Sequence, residues 1–277
     1  MTLAKIPLAG VIGHPIAHSR SPLLHGHWLR SFGLAGHYVP MDVSPENLQE
    51  ALRTLPRVGF VGVNVTLPHK ENALQIADIV TDTARRIGAA NTLTFLEDGK
   101  IVADNTDAYG FMENLKQGAP KWRADAGPSV ILGAGGAARA VIVALLDEGV
   151  SEILITNRTR ERAEQLCQEF GPCLRMVEWA QADDAIQAGL TIINTTSLGM
   201  AGKAELNLSL AGLQKEATVT DLVYNPIKTR LLEAAGDAGC VTVDGLGMLL
   251  HQAVPGFERW FGIRPTVDDA TRKAALA

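Results

Sequence analysis

Short apolar runs and longer amphipathic segments alternate along this chain from one end to the other. The run at residues 6–12 reads as a buried strand, and the short runs at 37–41 and 59–63 are also strand-like. A hairpin is predicted over 91–95 and 100–103, turning at Glu97-Asp98-Gly99. Further strands are predicted at 129–132, 152–156, 190–193, 218–222 and 241–243. Between them, apolar residues recur at helical spacing over 22–32, 69–77, 81–87, 107–116, 133–147, from Glu161 onward, and over 229–235. Ser44-Pro45-Glu46 predicts a helix opening with Ser as N-cap and Pro at the first helical position, running to about Leu55. Two closing helices are predicted over 246–261 and 268–276.

Strand–helix alternation implies an α/β fold with parallel sheets covered by helices on both faces. The polar loop near 117–128, which carries Pro120 and Pro128, marks a break between two α/β units. The pattern alone does not place the closing helices. No internal repeat or low-complexity segment interrupts the pattern.

Composition narrows the class. The chain has 277 residues, 47% of them apolar and 20% charged, with a net charge of −5. That suits a soluble globular protein with a sizeable core, and the absence of a basic stripe argues against nucleic acid as a partner. No apolar run approaches the roughly 18 residues that span a membrane. The N-terminal apolar run reads as a strand rather than a signal segment. Three cysteines, Cys167, Cys173 and Cys240, have no paired spacing, which fits a reducing, cytoplasmic setting.

Two regions carry candidate chemistry. The first is Val130-Ile131-Leu132-Gly133-Ala134-Gly135-Gly136-Ala137-Ala138, a strand, turn and helix start that matches G-x-G-x-x-A. Gly133 permits the tight turn, Gly135 admits a pyrophosphate close to the backbone, and Ala138 allows tight helix–strand packing. The next strand ends at Asn157-Arg158-Thr159, with Arg162 one helical turn on. An NAD-binding chain usually has an acidic residue there to bond the ribose 2′-OH; two guanidinium groups instead suit a 2′-phosphate. The alternative is a solvated helix start. The loop Asn194-Thr195-Thr196-Ser197-Leu198-Gly199 follows another strand and reads equally as a plain loop or as part of a cofactor crevice.

The second region is residues 1–110, where polar groups repeatedly follow predicted strands. Ser19 and Ser21 come after the first; Asn64, Thr66 and Lys70 come after the third; Asn91, Asn105, Thr106 and Asp107 flank the hairpin. Ligands of parallel sheets bind at the carboxyl ends of strands, so these groups are placed to converge. Together they suit a small molecule with several hydroxyls and a carboxylate. Each also has a structural explanation. Ser21 before Pro22 suits an N-cap, Asn64 suits a satisfied core amide, Lys70 suits solvent, and Asp107 suits the cap of the next helix.

The ordered set Gly13-His14-Pro15-Ile16, His18-Ser19-x-Ser21-Pro22, Asn64-Val65-Thr66-x-Pro68-x-Lys70, Gly88-Ala89-x-Asn91-Thr92 and Asn105-Thr106-Asp107 resembles shikimate dehydrogenases. So do Gly133-Ala134-Gly135-Gly136-Ala137, Asn157-Arg158-Thr159, Asn194-x-Thr196-Ser197, Asp221-x-x-Tyr224-x-Pro226 and Gly247-Met248-x-x-x-Gln252. Gly26 departs from the family, which often has Asn there.

The resemblance covers nearly the whole chain. It implies an open α/β substrate domain, residues 1–108 and 247–277, and a Rossmann NADP-binding domain, residues 109–246. It implies that Lys70 and Asp107 are the catalytic pair and that Ser19 and Ser21 hold the substrate carboxylate. Asn64, Thr66, Asn91, Thr106, Asp107 and Gln252 would serve the ring hydroxyls, with Tyr224 nearby. Gly133, Ala134, Gly135, Gly136, Ala137, Asn157, Arg158, Thr159, Arg162, Thr196, Ser197, Gly245 and Met248 would face NADP. The implied activity is reversible reduction of 3-dehydroshikimate to shikimate, a step toward chorismate and the aromatic amino acids. The implied partner is that small molecule, with neither nucleic acid nor membrane, and a homodimer is an assembly the resemblance allows. No metal is expected: His14, His18, His25 and His27 lie close in sequence without a matching carboxylate or thiol.

Three other readings stay open on sequence. One is a quinate/shikimate enzyme that also accepts NAD. Another is a non-catalytic NADPH-binding regulator, which would be expected to lack Lys70 or Asp107. The third is a folate dehydrogenase on a similar fold.

Overall fold

The computed structural model describes residues 6–210 and 212–277. The part of the N-terminal run at residues 1–5 lies outside the described residues. The chain divides into two compact units, one of Met1–Thr106 with Leu250–Ala277 and one of Asp107–Leu249. The loop at 117–128 therefore lies inside the second unit, where it joins a helix to a strand.

The first unit contains β1 (Leu8–Gly13), α1 (Ser21–Ser31), β2 (His37–Asp42), α2 (Leu48–Thr54) and β3 (Phe60–Val65). It continues with α3 (Lys70–Ile76), β4 (Ile79–Val80), α4 (Asp82–Ile87), β5 (Thr92–Phe95) and β6 (Ile101–Asp104). Its sheet runs β2-β1-β3-β5-β6-β4. Strands β1, β2 and β3 are parallel, but β5 is antiparallel to both β3 and β6. The sheet is therefore mixed, not wholly parallel as the alternation predicts. A two-to-five-residue turn can return only an antiparallel strand, and the Asp98-Gly99 turn, with Gly99 at φ +82°, does so here.

Three local differences bear on the site. Residues Pro45–Asn47 form a 3₁₀ turn ahead of α2, and the Ser44 hydroxyl accepts from the Asn47 side-chain amide (3.0 Å) instead of capping backbone. Ser21 is the first residue of α1, and its N-cap is Arg20. Asn64 lies within β3, one residue beyond the predicted strand end.

The second unit begins with α5 (Asp107–Gly118), β7 (Ser129–Leu132), α6 (Gly136–Asp147), β8 (Ile153–Thr156) and α7 (Arg160–Phe170). It continues with β9 (Leu174–Val177), α8 (Ala182–Ala188), β10 (Thr191–Asn194), β11 (Thr218–Asp221), α9 (Arg230–Asp237) and β12 (Val241–Val243). The sheet order is β12-β11-β10-β7-β8-β9, with every pairing parallel. Every residue of β7, β8, β10 and β11 is buried, as expected when helices cover both faces of a parallel sheet. The sequence pattern does not announce β4, β9 or α8. Helix α10 (Leu246–Phe261) starts in the second unit and ends in the first, where α11 (Asp269–Leu276) follows it. No helix among the described residues is long and apolar enough to cross a membrane.

Candidate active site

In the first unit, β1 and β3 end side by side, and the loops leaving them are stitched together. Thr66 N–H donates to the Ile12 carbonyl (2.9 Å), and His14 N–H donates to the Leu67 carbonyl (3.1 Å). Gly13 allows this approach, because a Cβ there would meet the Thr66 methyl at 2.6 Å. The β1 loop carries Ser19 and Ser21, and the Ser21 N–H donates to Ser19 Oγ at 3.3 Å. The β3 loop carries Thr66, half-buried, and then Lys70, which opens α3 after the buried cap residue His69. The His69 ring bonds the Val43 carbonyl at 2.7 Å, so Nε2 carries the proton and fixes the tautomer. The Lys70 carbonyl accepts Ala90 N–H at 2.9 Å, which ties the start of α3 to the Asn91 strand.

A buried polar network lies behind these loops. Tyr38 Oη donates to Asn64 Oδ1 at 2.7 Å, and Asn64 Nδ2 donates to the Asn91 carbonyl and to Thr92 Oγ1, each at 3.2 Å. Both amide hydrogens of Asn64 are thereby used, so it meets a ligand only as an acceptor through Oδ1. Asn91 Oδ1 accepts from Thr92 Oγ1 (2.9 Å) and from Thr106 N–H (2.8 Å), and Asn91 Nδ2 donates to Gln252 Oε1 (3.1 Å). Thr106 Oγ1 donates to the Gln252 carbonyl at 2.8 Å. The adjacent Asn105 bonds the Ala89 carbonyl (2.9 Å), and Asp104 is clamped by Thr81 and Arg259.

The structure therefore brings Asn64, Asn91, Thr106 and Gln252 into one connected set. Ser21 joins it through a hydrogen bond to Tyr38. Burial pushes the Tyr38 hydroxyl well above its ordinary pKa, with the Ser21 bond opposing that shift. His25, fully buried, stacks on Tyr38 with ring centres 3.8 Å apart, and neither of its ring nitrogens has a partner. Sequence inspection missed Tyr38 and Thr92 as members. The available signals were that each is a polar residue of a predicted strand and that Thr92 adjoins Asn91 in the family motif.

His14, the first of the clustered histidines, pairs with Asp42 at 2.6 Å. Among the described residues no group of three or more His, Cys, Asp or Glu is placed to hold a metal.

In the second unit, Gly133 adopts φ +107° and its N–H donates to the Thr156 carbonyl (2.8 Å). Ala134 N–H is held by Asn157 Oδ1 (3.2 Å), and Asn157 Nδ2 donates to the Thr159 carbonyl (2.7 Å), so the glycine turn and the β8 end are one assembly. A Cβ on Gly135 or Gly136 would meet no atom of the chain, so both backbones face open space at the start of α6. Ala137 follows within the first turn, half-buried. That cradle at a helix N-terminus fits a pyrophosphate.

After β8, Arg160 is engaged by Glu164 and Glu178. Arg158 and Arg162 are exposed and have no ion-pair partner among the described residues. Two uncommitted guanidinium groups beside the glycine turn fit a 2′-phosphate.

Asn194 ends β10 and organises the next loop. Its Oδ1 accepts from Thr196 N–H (3.0 Å) and Thr196 Oγ1 (2.7 Å), and Thr196 Oγ1 accepts Leu198 N–H (3.0 Å). Ser197 projects from this loop exposed. Asn194 Nδ2 donates to Asp221 Oδ1 (2.9 Å), which also accepts Val223 N–H, while Asp221 Oδ2 accepts Thr229 Oγ1 (2.7 Å). Burial raises the Asp221 pKa against these three bonds. Tyr224 follows that anchor, in the second unit. Gly245 packs on the Leu222 carbonyl too closely to admit a side chain, and Met248 is half-buried on α10. Asp107 opens α5 one residue after Thr106.

Comparison with known proteins places these features in a family. Residues 11–93 match the shikimate dehydrogenase substrate binding domain, residues 123–207 the shikimate / quinate 5-dehydrogenase domain, and residues 245–276 the shikimate 5′-dehydrogenase C-terminal domain. The chain is 64% identical to a shikimate dehydrogenase (NADP(+)) of Roseobacter denitrificans, with 100% of each chain covered. It is 60% identical to another of that name from a Ruegeria species, also over 100% of each. Among solved structures, the Thermus thermophilus shikimate 5-dehydrogenase in complex with NADP(H) and shikimate superposes with TM-score 0.87 at 39% identity, covering 97% of this chain and 98% of that one. Quinate dehydrogenase from Corynebacterium glutamicum in complex with NAD gives 0.90 at 32% identity, with 97% and 98% covered. With near-identical length, the same three domain signatures and a two-sheet α/β architecture, the chain belongs to the shikimate dehydrogenase family.

Proposed function

We propose that this chain catalyses the NADP-dependent, reversible reduction of 3-dehydroshikimate to shikimate. The observation that carries this reading is its full-length likeness to curated shikimate dehydrogenases named for NADP(+). The two unpaired arginines beside the glycine turn support NADP over NAD, since only the former offers a 2′-phosphate.

The second unit binds the cofactor through Gly133, Ala134, Gly135, Gly136 and Ala137 at the pyrophosphate and through Asn157, Arg158, Thr159 and Arg162 at the adenosine end. Thr196, Ser197, Gly245 and Met248 line the remainder. NADPH, when bound, supplies the hydride. The first unit holds the substrate: Ser19 and Ser21 offer hydroxyls to the carboxylate, and Thr66, Asn91, Thr106 and Gln252 face the ring hydroxyls. Asn64 accepts from one of them, and Tyr224 adds a phenol. Lys70 and Asp107 are the catalytic residues, and a proton from one of them reaches the carbonyl oxygen as the hydride reaches carbon.

Shikimate or 3-dehydroshikimate is the small-molecule partner, and the product feeds chorismate and aromatic amino acid synthesis. The three free thiols support a cytoplasmic setting, and a homodimer is a compatible assembly. Nicotinamide absorbance on the purified protein tests the proposal, using shikimate and quinate, each with NADP⁺ and with NAD⁺. Rapid reduction of NADP⁺ with shikimate alone is expected. Equal rates with quinate or NAD⁺ would move the chain to the dual-specificity branch, and no turnover with any pair would overturn the proposal.

A further inference from the structure

Thr92 is fully buried at the start of β5, and its hydroxyl meets three residues at once. It lies 3.2 Å from Asn64 Nδ2, 2.9 Å from Asn91 Oδ1 and 3.1 Å from Thr106 Oγ1. Proton bookkeeping fixes the direction of these contacts. The Asn91 carbonyl only accepts, so Asn64 presents its NH₂ on that side, and Thr92 Oγ1 receives the other amide hydrogen. Thr106 N–H only donates, so the Asn91 amide presents its oxygen to Thr106 and Thr92. Thr106 Oγ1 donates to the Gln252 carbonyl at 2.8 Å, with Asn91 Oδ1 at 3.1 Å as a second acceptor, and the shorter contact of the Thr92 hydroxyl, 2.9 Å, directs its proton to Asn91 Oδ1. One hydroxyl thus accepts from Asn64 and donates to Asn91, bridging two amides whose directions the Asn91 carbonyl and the Thr106 N–H set.

We infer that Thr92 is a positioning residue for the substrate pocket: it touches no ligand, yet its hydroxyl ties the Asn64 and Asn91 side chains to each other and so holds them in place for a polyhydroxylated ring. The inference rests on the proposed reading of those two asparagines as substrate contacts. Both amides belong to the first unit, so a buried hydroxyl that fixes their relative position acts on substrate recognition rather than on NADP.

Valine is the isosteric probe, since it keeps the β-branch and shape and removes only the hydroxyl. Thr92→Val is expected to raise KM for shikimate about five- to tenfold, the effect of unpairing one buried polar group, with KM for NADP⁺ within about twofold of wild type. Thr92→Ala, which cannot overfill the site, is expected to give the same rise, and Thr92→Ser to restore the wild-type value. A KM for shikimate unchanged in both Val and Ala variants, or a loss that Ser fails to restore, would overturn the inference. Crystal structures of wild-type and Thr92→Val protein without ligand give a readout independent of activity. A shift of the Asn64 or Asn91 side chain in the variant is expected, and side chains left in their wild-type positions would overturn the role of Thr92. Wild-type protein that fails to turn over shikimate would count against the functional reading alone, and the crystallographic comparison would then decide the question of Thr92.

Discussion

Acid should weaken this fold through one histidine, and the size of the effect follows from where that residue sits. His25 is fully buried, stacked on Tyr38 at 3.8 Å and set edge-on to Trp28, with neither ring nitrogen hydrogen-bonded. A charged imidazolium has no counter-ion there, and burial lowers the pKa from 6.5 to about 3. The unfolded chain therefore binds a proton below pH 6.5 that the folded chain refuses until pH falls to about 3. Stability is full above the unfolded value and drains away as pH falls through that window. Between pH 7.5 and 5.0 the linkage amounts to about 2 kcal/mol from a shift of 6.5 to about 3. His25→Leu has similar volume and no proton to bind. Urea unfolding of both proteins at the two pH values isolates the effect, because every other titrating group is shared. Wild type should lose about 2 kcal/mol more than the variant on acidification. Equal losses would refute the reasoning and show that His25 finds a proton acceptor or solvent in the folded state.

Three other perturbations report on the cofactor and catalytic groups. Arg158→Asp should weaken NADPH binding by about one to two powers of ten, roughly 1.5–3 kcal/mol for a lost charged hydrogen bond, measured by fluorescence titration; unchanged affinity would sink its assignment to the 2′-phosphate. Lys70→Ala should lower kcat by about 10²–10⁴ with little change in substrate binding; a rise in KM alone would make Lys70 a binding residue. Gly133→Ala should cost roughly 1–3 kcal/mol in denaturant unfolding and weaken NADP⁺ binding, since its φ is +107° and a Cβ would lie 2.8 Å from Thr195 Oγ1; wild-type stability would show that the turn relaxes freely.

Much of the fold was legible because its buried strands are short apolar runs with strong punctuation. Strands β7, β8, β10 and β11 are buried on both faces and read directly from their composition. Strand β9 was not, because it is an edge strand whose exposed Arg175 interrupts the apolar run. Strand β4 is two residues long, and α8 holds seven residues with two aspartates in its first turn, too few for periodicity to register. The Asp98-Gly99 turn disclosed the β5–β6 hairpin. Its insertion between β3 and β4 is a long-range pairing that no local pattern encodes.

The candidate site shows a different limit. Taken one at a time, its residues favour structural explanations: Asn64 suits a satisfied core amide, and in the structure its carbonyl and both amide hydrogens are engaged within the unit. The structural and functional readings are not alternatives here. A buried strand end can carry amides and hydroxyls only if each finds a partner, since an unpaired group costs about 1–3 kcal/mol. The first unit meets that demand by pairing Asn64, Thr92, Asn91, Thr106 and Gln252 with one another. The same bonds that satisfy the interior fix the direction of each amide. A site assembled in this way orients its groups before any ligand arrives, and the sequence, which shows residue types without their partners, reveals Asn64, Asn91, Thr106 and Gln252 but neither Thr92 between them nor the order in which they hold each other.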